Sequence, residues 1–243
     1  MSLPAMVSVY GTYGYEATIG TDQINLSISR RSGMVEYSRN CAGATVKKHV
    51  ASLDGRIIIN PIEPVNLPEE VTRYLEVQFE PLLLEPSSHQ TVYLTFPVEI
   101  GVFIAAQEDV HLVDIFSLNQ PRYSLYGQPD WGYITRWHRS VLYHEIPITD
   151  PLREGVLALE IKNDASTWVE VNRAVFDSVG MKIYYNSFVA MWAEMRIINS
   201  TVAETNFFDS PLVRGMTRSL EHYTIMKIPG LHREEFLMDA GLN

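Results

Sequence analysis

Four side chains within residues 123–147, YSLYGQPDWGYITRWHRSVLYHEIP, have the chemistry to hold a small polar ligand: Arg136, His138, Tyr143 and Glu145. Arginine offers a fixed fork of donors, histidine a proton that moves near neutrality, tyrosine a hydroxyl and glutamate an acceptor. A hairpin turning at Arg139 and Ser140 is expected to set the four largely on one sheet face, where they would bind an anionic or sugar-like ligand. The plainer alternative is a solvated sheet surface with cross-strand ion pairs and aromatic packing, and it is favoured because exposed pairs of this kind are common.

A fifth candidate is Glu99, in the run YLTFPVEIGVFI (residues 93–104). Side chains alternate along a strand, so Phe96, Val98, Ile100, Val102 and Ile104 share a core face, and Thr95, Pro97, Glu99, Gly101 and Phe103 share the other. Glu99 is therefore expected to point away from the main core. Pro97 has no N–H to give a ladder and belongs at an edge or bulge; Gly101 marks a bend or a close approach. A second Pro-apolar-Glu triplet occurs at Pro61, Ile62 and Glu63, in INPIEPVNLP. Two carboxylates near sheet edges have the makings of an acid–base pair or a metal site. Solvation, or pairing with arginine, is the expectation for both.

Other chemistry finds little support. There is no His-x-His, Cys-x-x-Cys or His-Glu-x-x-His, and no glycine-rich nucleotide signature. His232, Glu234 and Glu235 in LHREEF read as one solvated face of a short helix. FDSVG (residues 176–180) departs from Gly-x-Ser-x-Gly at its first position and lies in strand context. Cys41, the single cysteine, has no identifiable histidine partner and reads as an inert thiol. No catalytic residue, metal ligand or cofactor is assigned.

The elements that must position these residues are strands. QINLSIS, YLEVQFE and VLALEIKN alternate apolar and polar residues with period two, as half-buried antiparallel strands do. QINLSISRRSGMVEYSR predicts a hairpin around Ser32 and Gly33. Short helices are expected only near residues 69–73 and 232–240, the second ending at Gly241. The predicted fold is all-β, with two antiparallel, β-sandwich-like (immunoglobulin-like) halves and few short helices. The turn and prolines around residues 145–155 place the boundary, giving an N-terminal domain over 1–147 and a C-terminal one over 148–243.

Across 243 residues, 46% are apolar and 20% charged, which suits a globular chain with a sizeable core. A net charge of −10 argues against non-specific binding to nucleic acid and against docking on anionic lipid. No apolar run reaches the ~18–20 residues of a membrane helix. The first residues lack a basic segment followed by an apolar one, so no signal peptide is expected. Together with the lone cysteine, these features predict a soluble cytoplasmic protein.

Several stretches carry a family resemblance: INPIEPVNLP, VYLTFPVEIGVF, DIFSLN followed by YSLYG, EGVLALEIKN, VFDSVGMKIYYN and AETNF (residues 203–207). In these the chain resembles an archaeal family, found largely in methanogens, catalogued as domain of unknown function 432. The resemblance implies an archaeal cytoplasmic protein and brings no activity, cofactor or catalytic residue with it. The function expected is a non-enzymatic binding or assembly module acting through β-sheet surfaces on a protein partner or a second copy of itself. The alternative is a small-ligand or carbohydrate-binding protein, hydrolytic or not, using residues 123–147 with Glu99.

Overall fold

Period-two patterning becomes strands throughout, arranged in four sheets. The computed structural model describes residues 9–41, 43–52, 54–69, 71–107, 109–222 and 236–242. The first sheet is a meander of β2 (Ala17–Gly20), β3 (Ile24–Arg31), β4 (Met34–Cys41) and β5 (Ala44–Val50). The predicted hairpin is here: Arg31 pairs with Met34 across Ser32 and Gly33, whose φ angles of 50° and 81° are the positive pair a two-residue turn between right-twisted strands requires. Ile24, Leu26 and Ile28 turn inward as the alternation predicts.

The second sheet runs in the order β1 (Gly11–Tyr13), β6 (Arg56–Ile62), β9 (Glu99–Ala106), β10 (Asp109–Phe116), all antiparallel. A buried ion pair ties it to the meander: Arg39 Nε meets Asp114 at 2.7 Å, and the Tyr37 hydroxyl donates to the same carboxylate oxygen at 2.9 Å. Burial, with the Asp114 charge adding to it, pushes the Tyr37 hydroxyl far above its ordinary range.

The third sheet has the order β11 (Tyr123–Tyr126), β12 (Tyr133–Arg139), β7 (Tyr74–Leu84), β14 (Val169–Asp177). The fourth is built on β8 (His89–Pro97), β13 (Glu154–Asn163) and β16 (Val189–Asn199). It extends through β15 (Tyr184–Tyr185) to β18 (Thr217–Arg218), and through β17 (Val202–Phe208) to β19 (Phe236–Met238). The all-β class is as the sequence predicts, but two pairings, β12 with β7 and β13 with β16, are parallel. One apolar cluster draws on all four sheets, with Leu26, Ile59, Val77 and Leu159 among its members.

Strands on either side of residues 147/148 share sheets. β8 pairs with β13 along its length, and β7 pairs with β14. The stretch between β12 and β13 carries no strand.

Three local expectations change. Residues 69 and 71–73 form turn and bend, not a helix. Residues 236–238 form a strand because the edge of β17 is open to pair with them; the rest of the expected terminal helix, residues 232–235, lies outside the described residues. Among the described residues helical structure is limited to the 3-10 turn Ser178–Gly180 and to His222, and no helix is long and apolar enough to cross a membrane.

The run YLTFPVEIGVFI is two strands. β8 ends at Pro97 in the fourth sheet, and β9 begins at Glu99 in the second. Val98 stands between them, its N–H donating to Arg153 O at 2.9 Å. Proline fits the crossing because the ladder ends there. Both alternating faces are buried, since a strand that passes from one sheet to another is covered on each side. Glu99 is 0% exposed, which corrects the expectation that it points away from the core into water. Glu63 is also buried.

Candidate functional site

Arg136 and His138 stand two residues apart on β12 and so project to the same side. Opposite them runs the second face of the crossing segment, Thr95, Pro97 and Glu99. His138 Nε2 lies 2.9 Å from Thr95 Oγ1, and Thr95 N donates to Ser140 Oγ at 2.8 Å. Arg136 lies within electrostatic reach of Glu99. Where these strands meet, Pro97 forms part of a cleft of about 330 Å³, large enough for a small molecule. Arg122, Arg136, Trp137, His138 and Arg139 line it, and Asn119, Gln120 and Glu154 complete the rim. Three arginines against one carboxylate make a positive spot in a chain of net charge −10.

Arg136 is the unusual member. It is only 2% exposed, yet its Nε and Nη1 are buried without a hydrogen-bond partner. Its guanidinium sits over the Tyr123 ring at 5.9 Å, Tyr123 being its cross-strand neighbour on β11. Burial pulls its pKa down, and the Glu99 charge opposes that fall. Arg122 and Arg139, by contrast, are exposed. Buried polar groups are nearly always satisfied, so a guanidinium with two buried, unmatched donors at a cleft wall departs from the rule.

Two buried carboxyls lie within electrostatic reach of each other, Glu99 and Glu63, and Glu99 within reach of Arg136 as well. Glu99 accepts from Asn66 N at 3.1 Å and from Leu67 N at 3.3 Å. Burial raises its pKa to about 7, against the pull of these donors and of Arg136. Glu63 follows Ile62, the residue paired with Glu99 across β6 and β9. Burial, with the Glu221 and Glu99 charges adding to it, raises Glu63 to about 8, and its Oε2 is buried without a partner. His138 moves the other way: burial, then the Arg136 and Arg122 charges, lower it to about 4, so it is neutral at neutral pH.

The structure places Arg136 and His138 in the cleft lining and Glu99 outside it, within electrostatic reach of Arg136, and it brings in neither Tyr143 nor Glu145. The hairpin expected at Arg139 and Ser140 does not form, because β12 has β11 on one side and β7 on the other and no place for a returning strand. Tyr143 instead exchanges backbone hydrogen bonds with Tyr93 at 2.9 and 3.0 Å, and Glu145 is exposed; neither lines the cleft. Sequence reasoning missed Arg122, Arg139 and Trp137 as cleft residues. The available signal was a concentration of arginine around the aromatics of one short segment. Ser178 of the FDSVG stretch is buried in the 3-10 turn, with Asp177 capping that turn and paired with Arg73. Among the described residues, no group of three or more His, Cys, Asp or Glu gathers as metal ligands would.

The site is thus a small cationic cleft between sheets of an all-β protein. A family model described as a protein of unknown function, DUF432, matches residues 9–239, and the chain belongs to that family. No curated protein and no solved structure matches the chain.

Proposed function

We propose that this protein binds a small anionic ligand in the cleft between β12 and the β8–β9 crossing. Arg136 is the buried anchor, and Arg122 and Arg139 draw the anion in from solvent. The observation that carries this reading is the Arg136 guanidinium, buried in the cleft wall with Nε and Nη1 unmatched. A charge-assisted hydrogen bond from a carboxylate, sulfate or phosphate oxygen is the strong interaction such donors lack. Trp137, in the cleft lining, provides flat apolar surface for the rest of a ligand, a sugar phosphate among them. Binding is the role proposed, and no reaction is assigned. The single buried cysteine fits a reducing cytoplasm, and the family resemblance an archaeal one.

Calorimetric titration with sodium sulfate near pH 6.5, against sodium chloride at matched ionic strength, tests the reading. Arg136→Met is expected to weaken sulfate binding at least about tenfold, the scale of one lost charge-assisted bond. Arg122→Ala is expected to weaken it a few-fold and to reduce its salt dependence. A neutral monosaccharide that binds as well as sulfate, or an Arg136→Met protein that binds sulfate as the wild type does, would refute it.

The assembly reading has its own observation. Among the described residues β11 is an edge of the third sheet, and Leu125, Trp131, Tyr133 and Ile134 on or beside it are each 45–55% exposed. An exposed edge with apolar neighbours pairs readily with another strand. On this reading the occupant is a second copy, joined through β11. Light scattering on the eluting protein is expected to give a dimer that Leu125→Lys converts to a monomer; a wild-type monomer at high concentration would end it.

A further inference from the structure

We propose that the cleft selects an anion that brings a hydrogen-bond donor of its own, hydrogenphosphate rather than sulfate, and that Glu154 makes the selection. The inference rests on the anion-binding reading and deepens it, from the sign of the ligand's charge to the kind of oxyanion.

The register of the fourth sheet places the Glu154 side chain. Glu154 stands directly opposite Pro97 on β8, and Val156 opposite Thr95. Thr95, Pro97 and Glu154 therefore leave the sheet on the same side. That side faces β12, because Thr95 Oγ1 reaches His138 Nε2 at 2.9 Å. The opposite side belongs to the core, where Leu94, Phe96, Leu157 and Leu159 are buried. Glu154 and Pro97 accordingly line the same cleft as Arg122, Arg136 and Arg139.

The Glu154 carboxylate has no other engagement. Among the described residues it enters no hydrogen bond and no ion pair, although three arginines share the cleft lining. Burial, then the Asp150 charge, raise its pKa, the direction expected of a carboxyl without a cation against it. An ionised carboxylate accepts hydrogen bonds and cannot donate one, whereas the unmatched Arg136 groups, Nε and Nη1, can only donate. The lining thus asks one ligand for acceptor oxygens, to meet arginine, and for a donor, to meet Glu154. Sulfate carries no proton, so beside Glu154 it sets acceptor against acceptor and negative charge against negative charge. Hydrogenphosphate has the same shape and, near pH 8, mainly the same double charge, but one of its oxygens carries a proton. With that O–H turned to Glu154, its bare oxygens remain for the arginines. A site that hydrogen-bonds a ligand hydroxyl rejects the analogue lacking it, because the site's own polar group then loses its partner. Glu154 keeps some contact with water, so the penalty is smaller than at a sealed site.

Calorimetric titration of the full chain near pH 8 with sodium phosphate and with sodium sulfate, at matched ionic strength, tests the selection. A glutamate in contact with water is ionised at that pH. Phosphate is expected to bind at least about tenfold more tightly than sulfate, the scale of one hydrogen bond to a charged acceptor. Glu154→Ala removes the acceptor and is expected to bring the two affinities within about threefold of each other. Glu154→Gln can donate to sulfate through its amide and should do the same; it serves if the alanine variant does not fold. The ratio decides, because loss of a negative charge alone would tighten both dianions alike. Wild-type sulfate binding as tight as phosphate binding overturns the inference and leaves the anion site standing. So does a phosphate preference that Glu154→Ala, or in its place Glu154→Gln, leaves unchanged. A wild-type protein that binds neither anion overturns the site as well.

Discussion

Arg136→Met is expected to raise the thermal unfolding midpoint near pH 6, by roughly 4–8 °C, while removing anion binding. A charged group with two buried, unmatched donors is held at a cost in the folded state that water spares it in the unfolded chain. Replacing buried ionic groups with apolar residues of similar volume commonly stabilises by about 1–4 kcal/mol, and each kcal/mol moves the midpoint by about 2–4 °C in a chain of this size. Methionine fills most of the arginine volume and adapts to irregular space. The pH matters because Glu99, with its pKa raised to about 7, is then largely protonated and is not stranded when Arg136 goes. The opposite result, a clear loss of stability near pH 6, would mean that Arg136 is a structural cation paired to Glu99. The anion-binding reading would then lose the observation that carries it.

Stability should fall as pH rises from about 5 to 9, and Glu63→Gln should flatten that fall. In the folded protein Glu63 titrates at about 8, raised from its ordinary value of 4.5 chiefly by burial. Below the unfolded value both states hold the proton and the contribution is fully present. Between the two values the native state binds more protons than the unfolded one, so stability declines with pH until the folded carboxyl has ionised. Glu99 acts in the same direction, its contribution lost as pH rises through about 7. One pKa unit is worth about 1.4 kcal/mol, so the pair together amounts to on the order of 8 kcal/mol, titrating as a coupled unit. His138, lowered to about 4, contributes with the opposite sign only as pH falls from its ordinary value through that figure, leaving the alkaline limb to the carboxyls. Urea midpoints across the range provide the check. Glu63→Gln should match the wild type near pH 5 and exceed it near pH 9. A wild-type midpoint that is flat from pH 6 to 9 would show that both carboxylates ionise with adequate partners.

Local rules reached a good deal of this molecule. Period-two alternation and the Ser32–Gly33 turn are consequences of backbone sterics within a few residues, so the all-β class and the β3–β4 hairpin could be read directly. The residue types at Arg136, His138 and Glu99 marked where polar chemistry was available. What covers a strand face is a different matter, because alternation separates two faces without saying what packs on either. YLTFPVEIGVFI reads as one half-buried strand and is two strands in two sheets; the crossing at Val98 buries Glu99 and turns Thr95, Pro97 and Glu99 towards β12. The hairpin expected after Arg139 depended on a neighbour in sequence, whereas β12 is held in parallel by β7, distant in the chain. That long-range pairing separated Tyr143 and Glu145 from Arg136 and brought in Arg122 instead. Residues 236–238 show the same override, a short segment drawn into a strand by the open edge of β17. The sequence by itself determined the strands, their turns and the available side chains. Only the tertiary structure decided which faces were covered and which charges became neighbours, because burial and long-range pairing are properties of the whole packed chain.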